Sequence, residues 1–348
     1  MNSMNKYKKI LVTGGCGFIG SHFIRLILEE PEVEVLNLDV LTYAGNPDNL
    51  VDIVATKADR YRHLKVNICD SELIKKYINE FSPDVVVHFA AESHVDRSYF
   101  DAFDFVRTNI EGTRVLLESI RQTGKNIRFV HISTDEVYGD VEEGLYSDEQ
   151  SPMRPSNLYA ASKAGADLFV QSFIRTHSFP AVILRGSNNY GTHQYPEKLI
   201  PMAITNLLEN KEIPLHGDGS HQRSWLHVND FCSAISLVMR QAADGTIWNV
   251  SGEIKSNLEV VKTVANILSV SIEDKLKKVP DRPGADFRYA PSSEQIRTQL
   301  GWKPEHIFSK EISHIINWYK ANELWCKHIK TSEEFLRHYK KQAMGKWF

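Results

Sequence analysis

Thr13-Gly14-Gly15-Cys16-Gly17-Phe18-Ile19-Gly20 directly follows the apolar run Ile10-Leu11-Val12 and opens a stretch of helical periodicity, Ile19 to Glu29. A buried strand, a turn with glycines three apart and a helix start are the parts of a dinucleotide-binding βαβ unit. Gly14 permits the tight turn. Gly17 lets backbone N–H groups approach a pyrophosphate, and Gly20 lets the helix pack closely on the strand. A glycine triplet alone is weak evidence, because glycine turns between strands and helices are common. Asp39 strengthens it: it closes the next apolar run, Val33 to Leu38, about twenty residues on, where an acid meets the adenosine ribose. Its charge repels a 2′-phosphate and Cys16 puts no arginine in the loop, so NAD is favoured over NADP.

Strand and helix keep alternating outward from this unit. Val85 to Phe89 and Ile127 to Ile132 read as buried strands, and Ser71 to Phe81 and Asn109 to Thr123 as helices. The fold class is therefore α/β, a doubly wound parallel sheet of Rossmann type. Past Gly186 the pattern loosens and proline and glycine become frequent (Pro196, Pro201, Pro214, Gly217, Gly219, Pro280, Pro283, Gly284). A smaller mixed α/β substrate-binding region on the carboxyl edge of the sheet, forming the second wall of a cleft, is expected there. The expected division is a NAD-binding domain over 1–186 that also receives segments around 225–255, a ligand-binding region over 187–330 and a helical tail over 331–348. In the tail, Phe335, Leu336 and Tyr339 share one side, and the lysines read as a solvated face.

Composition narrows the function. Hydrophobic residues make up 42% and charged residues 24% of the 348, as in ordinary soluble globular proteins. A net charge of -3 gives no electrostatic attraction for nucleic acid or an anionic membrane. After the polar, basic start Met1 to Lys9 the first apolar run, Ile10 to Val12, goes straight into the glycines and is shorter than a signal peptide needs, and no run reaches the length of a membrane span. The four cysteines, Cys16, Cys69, Cys232 and Cys326, have no metal-ligand or redox spacing, so free thiols, no metal site and a cytoplasmic location are expected.

Tyr159 and Lys163 lie four apart at the start of a helical stretch and share one face. An ammonium near a phenol lowers its pKa, and such a phenolate can take a proton from an alcohol whose hydride leaves for a nicotinamide. Ser133-Thr134-Asp135-Glu136 ends the strand Ile127 to Ile132. A turn or helix cap would need only one of those side chains. Two adjacent carboxylates in a closed cleft repel, so one keeps its proton near neutral pH, giving the acid and base that an elimination requires. Asp70 fits either the adenine amino group or the cap of the helix that follows it.

The glycine motif, Thr134-Asp135-Glu136-Val137-Tyr138-Gly139, and Tyr159 with Lys163 together resemble the extended short-chain dehydrogenase/reductases, and within them the dTDP-glucose 4,6-dehydratases. Leu41-Thr-Tyr-Ala-Gly-Asn46, His88-Phe-Ala-Ala-Glu-Ser-His-Val-Asp-Arg-Ser98, Ser187-Asn-Asn-Tyr-Gly191, Tyr195-Pro-Glu-Lys-Leu-Ile-Pro201 and Gly301-Trp-Lys-Pro304 fit as well, from about Lys8 to Asn322. The resemblance implies a hydro-lyase acting on a nucleotide-sugar, with NAD recycled in each turnover, in a homodimer joined through long helices. It implies catalysis by Thr134, Asp135, Glu136, Tyr159 and Lys163. Around NAD it places Gly14, Gly17, Phe18, Ile19, Gly20, Asp39, Thr42, Ile68, Asp70, Ala90, Ala91, Thr108, Ser133, Tyr159, Lys163 and Asn189. On the sugar-nucleotide side it places Ser93, Thr134, Asn188, Lys198, Leu199, Pro214, His216, Arg223, Asn257, Arg288 and Tyr289.

The chain departs from the family pattern at His216 (usually tyrosine), Ala285 and Phe287 (histidine and arginine), Ser224 (aspartate) and Gly186 (cysteine). These positions leave the reaction intact and the base open between thymidine and uridine, or another NDP-hexose. A 4-epimerase or decarboxylase on the same fold would need no acid pair. A non-catalytic NAD-binding protein would not keep all five catalytic residues.

Overall fold

In the computed structural model, which describes residues 7–345, the first apolar run becomes strand β1 (Lys9–Thr13). Residues 1–6 and 346–348, the polar start and the end of the expected tail helix, lie outside the described residues. Ile10 and Val12 point into one hydrophobic core and Leu11 into another. A strand covered on both faces has no solvated side, which is why it reads as an unbroken apolar run. The remaining strands are β2 (Glu34–Leu38), β3 (Tyr61–Leu64), β4 (Val85–His88), β5 (Arg128–Thr134), β6 (Ala181–Gly186), β7 (Asn188–Tyr190), β8 (Ile213–His216), β9 (Gln222–His227), β10 (Ile247–Val250), β11 (Glu253–Ser256) and β12 (Leu276–Val279).

The main sheet has seven parallel strands in the order β10-β6-β5-β4-β1-β2-β3. Helices Phe18–Leu28 and Val228–Gln241 cover one face, through Phe23, Ile24, Phe231 and Ile235. Helices Ser71–Phe81, Thr113–Gln122 and Leu158–His177 supply Ile74, Ile78, Leu116, Ile120 and Val170 to the other. The chain order reverses between β1 and β4, so a crevice opens at their carboxyl ends, where such sheets bind ligands. Gly14 sits in that crevice with φ +71°, and a Cβ there would stand 2.6 Å from the Ala90 backbone beyond β4. Only glycine lets the two strand ends approach so closely.

The expected helix Asn109 to Thr123 differs in detail. Helix begins at Ala102, and Val106–Gly112 is π-helical before the α-helix starts at Thr113. The wider turn serves Asn109, whose amide pairs with both backbone groups of Glu92 (2.9 and 3.0 Å) and donates to Ser162 (2.8 Å).

After β6 the chain builds two small sheets, β11-β9-β7 and β12-β8, over a third core that includes Ile204, Trp225, Val261 and Ile312. β10 and the Val228–Gln241 helix return to the main sheet. The chain after Asn322 folds as helices Glu323–Lys330 and Glu333–Met344, so the helical tail begins ahead of the 331–348 expected for it. Phe335 is 2% exposed and stacks with Tyr339, whereas Leu336 is 45% exposed. Residues four apart share a helix face, and the next residue is turned about 100° away, so Leu336 leaves the apolar side expected for it. No helix among the described residues is long and apolar enough to cross a membrane.

Candidate active site

Two adjoining cavities, of about 410 and 150 Å³, lie along the carboxyl edge of the main sheet. Ser93, Glu136, Asn188, Asn189, Gln194, Glu197 and Lys198 line both, so they form one cleft with Glu136 at the junction. Of the residues expected around NAD, Gly14, Gly17, Phe18, Ile19, Gly20, Asp39, Thr42, Ile68, Ala90, Ala91, Thr108, Ser133, Tyr159, Lys163 and Asn189 line the larger cavity. Asp39 accepts from the Cys16 and Leu41 amides at 2.9 and 2.8 Å, and burial raises its carboxyl. Asp70 lines neither cavity: its carboxylate takes the Leu73 amide at 3.1 Å and caps the following helix, the other of its two readings.

β5 runs out at Thr134, and a 3₁₀ turn over Asp135–Tyr138 sets the two carboxylates side by side. The Thr134 hydroxyl donates to Asp135 at 3.3 Å and accepts from the Glu136 amide at 3.3 Å. Burial and the neighbouring Glu136 push the Asp135 carboxyl up to about 8. Burial also raises Glu136, against the pull of Arg223, Asn157 and Lys198. Asn157 caps the Leu158–His177 helix and reaches Glu136 Oε2 at 3.4 Å. The buried pair therefore keeps a proton at neutral pH.

Tyr159 and Lys163 follow on that helix and are buried. The expected lowering of the phenol does not hold. Lys163 Nζ donates to the Ile132 carbonyl at 2.7 Å, and burial with the charges of Glu136 and Asp135 raises Tyr159 against the Thr134 hydrogen bond. Burial lowers Lys163 to about 8, with Asp167 opposing. Asp167, one turn further on, is held by Arg185 Nε (2.8 Å) and His131 (3.3 Å). Burial alone would raise it, yet these cationic and hydrogen-bonding partners leave it at about 2. Sequence reasoning missed this buried network, although a charged residue four beyond Lys163 on the same helix face was its signal.

On the far side, Ser93, Asn188, Lys198, Leu199, Pro214, His216, Arg223 and Asn257 line the smaller cavity. Burial lowers Lys198 and takes His216 down to about 3. Arg288 and Tyr289 line neither cavity, which corrects the expectation for both. The Arg288 guanidinium is engaged by the Glu142 and Leu145 carbonyls (2.9 and 2.7 Å) and by Gln222 (3.1 Å). It braces a loop instead of facing a phosphate. Tyr289 donates to Asp286 at 2.6 Å, lies 3.5 Å from Glu136, and carries the Arg223 guanidinium over its ring. The larger cavity also takes Glu92, lifted by burial to about 7, and Trp325, neither of which the sequence singled out.

Comparison with known proteins gives this geometry a family. The model for GDP-mannose 4,6 dehydratase matches residues 11–315. The dTDP-glucose 4,6-dehydratase of Streptomyces niveus is 43% identical over 332 residues, 94% of this chain and 97% of that protein. The structure of the dTDP-glucose 4,6-dehydratase of Streptomyces venezuelae, solved with NAD bound, superposes with a TM-score of 0.88 at 41% identity, covering 92% and 100% of the two chains. The UDP-glucose 4-epimerase of Thermus thermophilus, in complex with NAD, shares the fold at a TM-score of 0.83 and 30% identity over 90% and 99%. The chain belongs to the dTDP-glucose 4,6-dehydratase family, within the wider group that the GDP-mannose 4,6 dehydratase model describes.

Proposed function

We propose that this protein converts dTDP-glucose to dTDP-4-keto-6-deoxyglucose, with NAD as a bound and recycled cofactor. The observation that carries this reading is the buried Asp135–Glu136 pair beside Tyr159, with one carboxyl holding its proton near neutral pH. The epimerase neighbour shows that the fold alone does not choose the reaction. Epimerisation and decarboxylation eliminate no hydroxyl, and so have no use for the second carboxyl.

The residues present fit NAD. A Cβ on Gly20 would stand 2.5 Å from the Gly14 carbonyl, and the Phe18–Leu28 helix starts without a side-chain cap. Its first N–H groups therefore point at the cavity as a pyrophosphate cradle. Bound there, NAD would supply the hydride acceptor for sugar carbon 4 and the donor for carbon 6. Tyr159 takes the proton of the carbon 4 hydroxyl as the phenolate, its own proton having gone to solvent, with the Thr134 hydrogen bond and the charge of Lys163 favouring that form. The ketone so formed acidifies carbon 5, whose proton Glu136 removes. Asp135 gives its proton to the departing carbon 6 hydroxyl, which leaves as water, and Glu136 returns its proton to carbon 5. The proton that Tyr159 gains is exchanged through solvent for the one that Asp135 gives up, so the balance is the loss of one water. Asn157 holds the Glu136 carboxylate in place for both of its transfers.

Lys198 suits the diphosphate, Arg223 would join it from the same cavity wall by giving up hydrogen bonds to the Gln222, Asp286 and Phe287 carbonyls, and His216 is proposed for the base. The proposed division has 1–186 with about 225–255 holding the cofactor and 187–330 the sugar nucleotide. A homodimer is proposed through Phe103, Val106, Leu168 and Phe169, which stay 39% or more exposed on the neighbouring helices 102–112 and 158–177. A cytoplasmic setting suits the four free cysteines. The deciding experiment incubates purified protein with dTDP-glucose and UDP-glucose separately, without added NAD, and looks for loss of one water by mass spectrometry. Turnover of dTDP-glucose is expected. A product of unchanged mass, or one lacking carbon dioxide, would replace the dehydratase reading.

A further inference from the structure

The tail after Asn322 takes no part in the chemistry above, yet it reaches the dinucleotide loop. The Glu323–Lys330 helix sets Trp325 in the wall of the larger cavity. Its indole N–H donates to Asn49 Oδ1 at 3.1 Å. Asn49 is 2% exposed, and its own Nδ2 donates to the Cys16 carbonyl at 3.0 Å. The Asn46 amide donates to the same carbonyl at 3.0 Å, and Asp39 holds the Cys16 N–H at 2.9 Å. Cys16 lies between Gly15 and Gly17, so a relay of two hydrogen bonds, the second of them buried, runs from the tail into the glycine turn.

The second tail helix closes over the neighbouring loop. Phe335 packs on Tyr195, with ring centroids 6.0 Å apart, and Tyr195 meets Tyr43 edge-on at 5.4 Å. The Arg97 guanidinium lies 3.5 Å from the Tyr43 ring centroid and is gripped by Glu334 (2.7 Å) and Glu197 (3.1 Å). Tyr43 to Asn46 line the cofactor cavity. Both tail helices thus brace the segments that surround the dinucleotide.

We propose that Trp325 is a cofactor-retention residue: through Asn49 it fixes the Cys16 carbonyl, and with it the turn that grips the pyrophosphate. The inference rests on the NAD reading above. An enzyme that returns hydride to the same sugar has reason for such a brace. Loss of the dinucleotide between the two hydride transfers would strand an oxidised sugar, whereas an ordinary dehydrogenase must let its cofactor go.

The test uses the full-length protein and Trp325→Phe, which keeps an aromatic ring and removes the N–H. Nucleotide released by denaturation is quantified after purification and after timed gel filtration in NAD-free buffer, and rates are measured against added NAD. NAD should leave the variant about ten times faster than wild type, the factor that ~1.4 kcal/mol gives. Half-maximal rate should need correspondingly more NAD, while kcat at saturating NAD is kept. Asn49→Ala, which removes the donor to Cys16 and the acceptor for Trp325 without adding a charge, should behave alike, and it serves if Trp325→Phe does not fold. A wild type that binds NAD beside variants that retain it equally overturns this proposal alone, as does a fall in kcat that NAD does not restore. A wild type that binds no NAD overturns the cofactor assignment and this proposal with it.

Discussion

Replacing Asp135 with asparagine should stabilise the protein while disabling it. The side chain is 2% exposed, and burial with Glu136 beside it lifts its carboxyl from 3.8 to about 8. Below pH about 4 the acid is protonated in both folded and unfolded chains. Between there and pH 8 the unfolded chain ionises it and the folded protein does not, so this group's contribution falls as pH rises, and the loss is complete above pH 8. At about 1.36 kcal/mol per pH unit the whole interval amounts to roughly 5–6 kcal/mol, an upper bound for a carboxyl coupled to a second one. Asparagine has the same shape and does not titrate. Urea unfolding of both proteins from pH 5 to pH 9 should show the variant gaining on wild type up to pH 8 and level beyond. With dTDP-glucose the variant should still oxidise carbon 4 but stall at elimination, leaving bound NADH visible in the near ultraviolet. A stability difference that ignores pH would refute the buried-acid argument, and dehydration at the wild-type rate would refute the role of Asp135.

Lys163→Ala should lose turnover steeply with NAD content unchanged; equal turnover would show that its charge does not assist Tyr159. Asp167→Asn leaves the buried Arg185 guanidinium without its carboxylate, so unfolding should show a loss of about 3–5 kcal/mol. The same change removes the charge that holds Lys163 up at about 8, so the ammonium is lost at lower pH and the alkaline limb of kcat should move to lower pH. A limb that stays in place would disconnect Asp167 from the site. Arg288→Met should cost about 1.5–3 kcal/mol of stability while leaving KM for the nucleotide-sugar unaltered. A tenfold rise in KM with stability intact would return Arg288 to the phosphates. Phe103→Asp should yield monomers in light scattering, and an unchanged dimer would move the interface elsewhere.

What the sequence revealed was whatever depends on neighbours in the chain. β1, the glycine turn and the Phe18–Leu28 helix are contiguous, and a strand buried on both faces is apolar throughout, so the cofactor end was legible. The same holds for Thr134 to Glu136 at the end of β5. β3 was not legible, because Tyr-Arg-His-Leu at the sheet edge needs little apolar surface. Arg288 was misplaced for a related reason: an arginine beside a cleft reads as a phosphate ligand, and only the fold shows that loop 140–147 turns its carbonyls toward the guanidinium. Trp325 acts across 276 residues of chain, a separation that no local pattern records.

The raised phenol of Tyr159 ties the two halves of the chemistry together. Glu136 and Asp135 both stand among the charges that oppose its ionisation. Were both carboxylates ionised, the base at carbon 4 would have to form beside two anions. With Asp135 protonated up to about pH 8, it faces one. The proton reserved for the departing hydroxyl therefore also eases the first deprotonation, and the two functions share a single titration. As pH climbs past 8, oxidation and elimination should fail together: the acid is gone, Tyr159 meets a second anion, and Lys163, lowered by burial to about the same value, sheds its charge. An alkaline limb steeper than one proton follows from this arrangement, and Asp135→Asn should relax the oxidation half-reaction back to a single-proton slope.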